Sequence, residues 1–318
     1  MNILIWSLIF LVALAGLIKS ADIFTTNSEK LGKALGVPQF IIGVSVVALG
    51  TSFPELMTSI IATFQGYSSI VAANVVGSNI ANILLVGGIT AIFAKEIVVE
   101  KSLIKLDLPL LGGITALLIV TLYDGTFTLI EGMIMLASYI IYVAYNWSEH
   151  RANKLEQLEE KVRRAIEKKQ DTKKLMLFIL LSAIGIFLGS KYTIDSIIEL
   201  SGLLNLAPAA ITISAVAIGT SLPELLVSIK AAKKKNFEMV IGNIIGSNIL
   251  NSTLVIGLPA FISPLVVTNE VITIAIPFLI IATVLFAFSG IEKKVFSFEG
   301  ALYSILYFVF IGQLFSFL

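Results

Sequence analysis

The sequence predicts an all-α polytopic membrane protein whose ten transmembrane helices form two inverted five-helix repeats. Its composition is 57% hydrophobic and only 14% charged, with a mean hydropathy of +0.97. A soluble domain of 318 residues needs a far more polar surface. Ten apolar runs are long enough to cross about 30 Å of hydrocarbon, and two polar motifs of the first half return 169 positions later.

The ten apolar runs divide into five on each side of a polar stretch. They fall near residues 2–19, 40–64, 70–94, 106–123, 127–147, 174–192, 207–229, 238–262, 271–289 and 297–317. We therefore expect a first five-helix repeat at 1–147, a charged cytoplasmic linker at 148–173 and a second repeat at 174–318. No Lys or Arg precedes the first run and no small-residue cleavage site follows it, which argues against a removable signal peptide.

The polar stretch from Ser148 to Lys174 sets the predicted orientation. It holds nine Lys or Arg and six Asp or Glu residues, and basic residues in short loops mark the cytoplasmic side of a membrane. With this stretch inside, 21 of the 22 basic residues lie on the cytoplasmic side and only Lys191 lies outside. Both termini are then extracytoplasmic. The alternating charges favour a single surface helix that joins the repeats.

An odd number of spans in each repeat makes the two repeats cross the membrane in opposite directions. Transporters built from such inverted repeats bind substrate near the bilayer midplane, where the repeats meet. They alternate access by moving one part against the other. Channels also contain inverted repeats, so the architecture favours a transporter and leaves a channel as an alternative.

The repeated motifs place one carboxylate inside an apolar segment of each half. Residues 50–56 (GTSFPEL) return as 219–225 (GTSLPEL), and residues 74–82 (NVVGSNIAN) return as 243–251 (NIIGSNILN). A charge at membrane depth is costly and indicates function. No basic residue is predicted at the depth of Glu55 and Glu224, which disfavours a purely structural ion pair and makes these two the strongest site candidates.

Helical spacing aligns the polar side chains of each motif on one face, because residues four apart are neighbours. These faces are Thr51, Glu55 and Ser59; Thr220, Glu224 and Ser228; Asn74, Ser78 and Asn82; and Asn243, Ser247 and Asn251. Pro54 and Pro223 displace the carbonyls four residues back, at Gly50 and Gly219. An unpaired carbonyl at this depth must face protein, water or an ion, so these carbonyls are further candidate ligands.

The combined faces supply two carboxylates and several neutral oxygens, which is the ligand set of a hard cation such as Ca²⁺ or Na⁺. Mg²⁺ and Mn²⁺ remain open because they also accept oxygen ligands. The chain has no cysteine, which excludes disulfides and thiolate metal sites. Two buried carboxylates are costly when empty and are neutralised by one divalent cation, by Na⁺ or by protons. Competition of these ions for one site predicts antiport.

Together, the two Gly-Thr-Ser-x-Pro-Glu motifs, each followed by Gly-Ser-Asn-x-x-Asn, resemble the α-repeats of the cation/calcium exchanger superfamily. The chain looks most like the sodium/calcium exchangers, because proton/calcium members typically carry a Gly-Asn-x-x-Glu form that residues 50–52 and 219–221 lack. The resemblance implies an antiporter that exchanges Na⁺ for Ca²⁺ by alternating access at a central site. It implies no enzymatic activity and no cofactor, with the two ions as substrates.

The resemblance also implies a ligand set drawn from both repeats. Its members are Glu55, Glu224, Thr51 and Thr220 for Ca²⁺, and for Na⁺ these together with Ser52, Ser221, Ser78, Ser247, Asn82 and the backbone carbonyls of Ala48 and Ala217. Asn251 stands where several relatives, potassium-dependent exchangers among them, carry an aspartate. A neutral amide removes one charge there, so we expect no potassium requirement.

Two further expectations concern the linker and the first span. The animal exchangers carry regulatory calcium-binding domains in the corresponding loop, and about 27 residues cannot form such a domain. We therefore expect a minimal transport unit in a prokaryotic plasma membrane. By resemblance, spans 1 and 6 form the moving gate. Lys19 and Asp22, near one end of span 1, are interpreted as interfacial residues.

Three alternatives remain open from the sequence. The nearest is a proton-coupled or Mg²⁺-handling exchanger, whose flux survives removal of Na⁺. A cation channel needs no counter-ion. An intramembrane enzyme is disfavoured because general base chemistry falls to Glu55 or Glu224 alone. Beyond the ions and the lipid bilayer, no nucleic-acid or protein partner is implied.

Overall fold

Helices account for most of the chain in the computed structural model, which describes residues 3–34, 48–98, 107–152, 172–292 and 294–315. The α-helices are α1 (Ile3–Ala34), α2 (Ala48–Thr51), α3 (Phe53–Phe64), α4 (Ser69–Ile80), α5 (Gly88–Ala94), α6 (Asp107–Leu122), α7 (Leu129–Ala152), α8 (Thr172–Leu204), α9 (Pro208–Ile211), α10 (Ala217–Thr220), α11 (Leu222–Lys233), α12 (Phe237–Leu250), α13 (Ile276–Glu292) and α14 (Ser297–Leu314). Wider π-helical turns occupy Ala81–Gly87, Thr212–Val216, Asn251–Val255 and Val271–Ala275, and a 3₁₀ turn occupies Pro259–Phe261.

Seven helical stretches among the described residues are long and apolar enough to span a bilayer. They are Ile3–Gly32, Ser69–Ala94, Thr172–Leu204, Pro208–Lys233, Phe237–Phe261, Val271–Glu292 and Ser297–Leu314. Three shorter apolar helices cover Phe53–Phe64, Asp107–Leu122 and Leu129–Tyr145. The chain is therefore a polytopic helical membrane protein.

The structure departs from the predicted spans mainly in α1 and α8, which continue well past the predicted ends at 19 and 192. The continuations at 20–34 and 193–204 place charged and polar residues among the apolar ones, so their hydropathy did not mark them as parts of a membrane span. Of the linker predicted at 148–173, residues 148–152 continue α7 and residues 172–173 begin α8. The remainder, 153–171, lies outside the described residues.

The motif-bearing helices lie at the centre of the protein. In Ser69–Ala94, 83% of the most apolar stretch is buried, against 17% for Ile3–Gly32. α1 and α8 lie at the periphery and pack along each other, with Leu17 and Ile186 fully buried in one apolar cluster. A Cβ on Gly189 would come within 2.9 Å of the Leu17 backbone, so the glycine permits this close approach.

The all-α prediction misses two short antiparallel ribbons. β1 (Glu96–Val98) pairs with β4 (Lys294–Phe296), with Glu96 opposite Phe296. β2 (Thr126–Phe127) pairs with β3 (Leu265–Val266), with Phe127 opposite Leu265. Segments of two or three residues leave little periodicity to detect in the sequence. Each ribbon links the first half of the chain to the second.

Candidate functional site

Both carboxylate-bearing helices begin at a break in a membrane segment. Helix α2 ends at Thr51 and α3 begins at Phe53, with Ser52 at φ −90° and ψ 11° between them. The equivalent break separates α10 from α11 at Ser221, with φ −83° and ψ 1°. A proline follows two residues after each serine, and its ring prevents a continuous helix. The proline pattern therefore predicted both breaks.

The two halves meet at the Glu224 carboxylate. Ser52 Oγ of the first half donates to Glu224 Oε1 at 3.4 Å, and Ser247 Oγ donates to the same oxygen at 3.4 Å. Thr51 also lies beside this carboxylate. All four side chains are at most 5% exposed. The contacts are longer than the usual hydroxyl–carboxylate distance of about 2.5–2.7 Å, which leaves the carboxylate incompletely satisfied by protein.

The Glu55 carboxylate is fully buried, and neither of its oxygens accepts a hydrogen bond among the described residues. Thr220 of the second half lies beside it, and the charge of Glu224 is close enough to repel it. Thr220 Oγ1 donates instead to the Val216 carbonyl at 3.0 Å. Each threonine thus faces the acid of the opposite half. Two adjacent buried anions require a cation or protons to neutralise them.

Other predicted site residues are buried with unpartnered polar atoms. Within the described part of the chain, these atoms are Ser78 Oγ, Ser221 Oγ, Glu224 Oε2 and both amide atoms of Asn82 and Asn251. Native proteins leave few such groups unpaired, and each one needs an explanation. Oxygen atoms of this kind fit a hard cation. The described residues contain no group of three or more His, Cys, Asp or Glu, so neutral oxygens must complete any cation shell.

The backbone near the site departs from the regular α-helix. Asn82 and Asn251 each lie in a π-helical turn, and a third such turn ends at Val216, directly before Ala217. π-Helical turns are rare and occur often at functional sites. They were missed because they carry no sequence signature comparable to proline.

The predicted backbone ligands Ala48 and Ala217 both begin short helices, α2 and α10. The Ala217 carbonyl already accepts the Ser221 backbone N–H at 3.1 Å. A carbonyl has a second lone pair, so this bond leaves it able to contact an ion.

A cavity of about 970 Å³ leads from the site toward Lys230 and Met239. Thr51, Asn243 and Ser247 line its inner part. Lys19 and Asp22 also line it and form an exposed ion pair at 3.1 Å. Both residues lie within a helix that continues to Ala34. Their interpretation as interfacial residues stays a prediction.

Sequence reasoning placed Asn74 and Asn243 on polar faces but gave them no role. Each side chain donates to the backbone carbonyl of a site glutamate, at 3.0 Å to Glu55 and 3.1 Å to Glu224. The pairs are related by the same 169 positions as the motifs. The spacing of 19 residues within each pair, repeated in both halves, is a signal that could have revealed the contact.

This helical bundle, with two apposed buried carboxylates at its centre, has the architecture of a membrane transport protein. The family model described as sodium/calcium exchanger protein matches residues 5–148 and 174–315. The chain therefore belongs to the sodium/calcium exchanger family. This is a family of transporters rather than enzymes, and the chain is accordingly a cation/Ca²⁺ exchanger.

Similar proteins include archaeal and bacterial members of nearly the same length. The sodium/calcium exchanger MaX1 of Methanosarcina acetivorans is 31% identical, over 97% of this chain and 98% of its own. The putative antiporter CaxA of Alkalimonas amylolytica is 33% identical, over 82% of both chains. Among solved structures, the sodium-calcium exchanger NCX_Mj soaked with 10 mM Na⁺ and 10 mM Sr²⁺ matches with a TM-score of 0.67 and 29% identity, covering 98% of this chain and 99% of that one.

Proposed function

We propose that the protein is a sodium/calcium antiporter that exchanges Na⁺ for Ca²⁺ at one central site. The observation that carries the proposal is the apposition of Glu224 to Ser52 of the other half, with Glu55 close enough to repel it. One Ca²⁺ balances both carboxylates. Na⁺ ions that occupy the same oxygens displace it, and the names of MaX1 and NCX_Mj support this pair of ions.

The proposed ligands come from equivalent positions in both halves. They are Thr51, Ser52, Glu55, Ser78 and Asn82, their counterparts Thr220, Ser221, Glu224, Ser247 and Asn251, and the carbonyls of Ala48 and Ala217. The two alanines contribute backbone oxygens. Each of the other side chains in this set supplies an oxygen and is buried. Asn251 contributes a neutral amide, so the site holds two formal charges and exchange proceeds without K⁺.

Antiport follows from the cost of the empty site. Two unneutralised carboxylates cannot cross a low-dielectric barrier cheaply, because burying an unpaired charge costs several kcal/mol or more. The protein therefore changes conformation with Ca²⁺ or with Na⁺ bound, and it keeps its conformation when the site is empty. This cost alone couples the movement of Ca²⁺ to that of Na⁺, and no additional structural element is needed.

The proposed topology has ten spans in two inverted repeats, 1–147 and 174–318, with extracytoplasmic termini in a plasma membrane. The seven long and three shorter apolar helices sum to ten. The ribbons provide independent support. Leu265 lies 169 positions after Glu96, and Phe127 lies 169 positions before Phe296, so the Glu96–Phe296 pairing corresponds to the Leu265–Phe127 pairing in the other ribbon. In the ten-span topology, β1 and β4 both lie on the cytoplasmic side and β2 and β3 both lie outside, so each ribbon can form.

Alternating access is proposed from the different packing at the two ends of the site. At the end with Lys230, the cavity opens between α1 and α11. At the opposite end, α3 and α8 pack together through Ile61 and Ile194, and Gln65 Nε2 donates to Asp195 Oδ1 at 2.9 Å. We infer from this difference a state open to the cytoplasm, with α1 and α8 as the proposed moving pair.

Purified protein in vesicles tests this function. Vesicles filled with Na⁺ are diluted into radioactive Ca²⁺, with external Na⁺, K⁺ and pH varied separately, and Glu55→Gln serves as the control. Uptake that requires the outward Na⁺ gradient, ignores K⁺ and vanishes in Glu55→Gln supports the proposal. Uptake that follows a pH gradient without Na⁺ identifies a proton-coupled exchanger, and uptake without either gradient identifies a channel.

A further inference from the structure

A buried asparagine links the Glu55 helix to the next membrane helix. Asn74 Nδ2, in α4, donates to the Glu55 backbone carbonyl at 3.0 Å and to Ser59 Oγ at 3.0 Å. Asn74 and Ser59 are fully buried. An amide nitrogen has two protons, so both are committed to the carboxylate-bearing helix α3.

The second half repeats this arrangement. Asn243 Nδ2, in α12, donates to the Glu224 backbone carbonyl at 3.1 Å and to Ser228 Oγ at 3.0 Å. Asn243 differs in its surroundings, because it is partly exposed and lines the cavity. The same two bonds therefore form in a fully buried, dry site in one half and at the cavity wall in the other. This persistence indicates a function beyond filling space.

Each asparagine hydrogen bond to a glutamate carbonyl acts close to the point where the helix backbone is interrupted. The helix is interrupted at Ser52, two residues before Pro54, and a proline has no N–H to add to the helical hydrogen bonds. The first turn of α3 therefore has less restraint from its own backbone than a helix interior. A side chain from α4 that holds the Glu55 carbonyl fixes the rotation of this turn and so the direction of the Glu55 side chain.

We propose that Asn74 and Asn243 are positioning residues for cation binding, which set where the Glu55 and Glu224 carboxylates meet the ion. This inference rests on the proposed function and deepens it. The asparagines act through the glutamate backbone rather than as ion ligands. Their effect is greatest on the affinity for Ca²⁺, because one small ion must touch both carboxylates at once.

The first test measures the KM and kcat of Ca²⁺ uptake, together with equilibrium Ca²⁺ binding, for Asn74→Ala and Asn243→Ala. Loss of the link in the dry site should raise KM and Kd about tenfold, the size expected for one buried hydrogen-bonded group left unpaired. Asn243→Ala should raise them about threefold, since water from the cavity can replace the lost donor. kcat should change less than KM in both variants.

Asn79→Ala provides a matched control in the same helix. Asn79 is buried and donates to Ser252 Oγ at 2.7 Å, so it contacts the opposite half rather than a carboxylate-bearing turn. Its truncation should lower thermal stability without changing KM for Ca²⁺. If Asn74→Ala behaves like this control, Asn74 has only a structural role and the inference is overturned.

Asn74→Asp separates positioning from direct ligation. Aspartate keeps an oxygen at this place but loses both donors and cannot bond the Glu55 carbonyl, which only accepts, so a positioning residue predicts weaker Ca²⁺ binding. A direct ligand predicts equal or tighter binding, which would overturn the inference. Ser59→Ala, alone and combined with Asn74→Ala, tests the Asn74–Ser59 hydrogen bond separately. The double variant should have the same KM for Ca²⁺ as Asn74→Ala, because the Asn74 substitution already removes this bond.

The outcomes also separate this inference from the proposed function. A wild-type protein that neither binds Ca²⁺ nor exchanges it overturns both. Sodium-driven Ca²⁺ uptake with normal KM in Asn74→Ala and Asn243→Ala overturns only the positioning role. If Asn74→Ala does not fold, the cavity-facing Asn243→Ala still decides the question, with raised KM as the supporting result and unchanged KM as the contradicting one.

Discussion

The Ser52 hydroxyl lies 3.4 Å from Glu224 Oε1, joining a residue of the first half to the carboxylate of the second. The two residues are 172 positions apart in the chain and are almost completely buried. Because this contact joins residues far apart in the sequence, both halves of the chain form the site together. Movement between the halves therefore changes the cation environment directly.

Ser52→Ala should weaken Ca²⁺ binding because it removes a hydroxyl from the cation environment and from Glu224. A net loss of about 1 kcal/mol corresponds to about a fivefold rise in KM, measured by radioactive Ca²⁺ uptake. Thr63→Val is the control, since the Thr63 hydroxyl is also buried but bonds to the Ser59 carbonyl of its own helix. A Ser52→Ala variant with the KM of Thr63→Val would show that the Ser52 contact is incidental.

Gly77 and Gly246 are equivalent in sequence but should respond differently to alanine. A Cβ at Gly77 would lie 2.9 Å from the Ile213 carbonyl oxygen and 3.1 Å from Ala217 Cβ, whereas at Gly246 the nearest atom is Tyr142 Oη at 3.9 Å. Overpacking costs about 1–3 kcal/mol, so Gly77→Ala should lower the unfolding temperature in detergent. Gly246→Ala should match or exceed wild type, because alanine favours helix. Equal destabilisation of both would refute the packing argument.

The two ribbons should lie on opposite sides of the membrane. The chain has no cysteine, so Thr126→Cys and Lys294→Cys each create a unique thiol at an exposed position. A membrane-impermeant thiol reagent should label the first from outside the cell and the second only in inside-out vesicles. Labelling of both from the same side would exclude the ten-span inverted topology.

The hydrogen bond between Gln65 and Asp195 should favour the state open to the cytoplasm. Asp195→Ala removes a hydrogen bond that stabilises the closed outer end by about 1 kcal/mol. It should therefore lower the ratio of the cytoplasm-open state to the outward-open state about fivefold. A thiol at Thr26→Cys, which lines the inner cavity, should then react more slowly from the cytoplasmic side.

Asp124→Ala is the matched control for this experiment. Asp124 is an exposed carboxylate that accepts a local bond from the Thr126 backbone N–H at 3.0 Å. It should leave the labelling rate of Thr26→Cys unchanged. If Asp195→Ala also leaves that rate unchanged, the Gln65 contact does not stabilise outer closure.

The sequence singled out polar residues that the structure places in buried positions, because polar side chains are conspicuous within apolar segments. Glu55 and Glu224 could be singled out as charges within apolar runs, and the prolines after Ser52 and Ser221 indicated the breaks in the helices. Equal spacing in both halves also implied equivalent positions. These inferences needed only local periodicity and the cost of placing charge in lipid.

The difference between the two halves could not be predicted from two nearly identical motifs. Asn74 is fully buried and Asn243 reaches the cavity, although both begin nearly identical motifs, NVVGSNIAN and NIIGSNILN. This asymmetry accompanies the different packing at the two ends of the site, one packed and the other lined by the cavity. The π-helical turns at Asn82 and Asn251 were missed for a different reason, since they depend on tertiary packing.

The most direct test of the account is equilibrium binding of radioactive Ca²⁺ to purified protein, compared among wild type, Glu55→Gln and Glu224→Gln and repeated with increasing Na⁺. A single site built by both halves predicts one Ca²⁺ per chain, loss of binding in either variant and full displacement by Na⁺. Two Ca²⁺ per chain, with one retained in each variant, would contradict it, because the halves would then hold separate sites. Binding that Na⁺ does not displace would contradict exchange at a shared site.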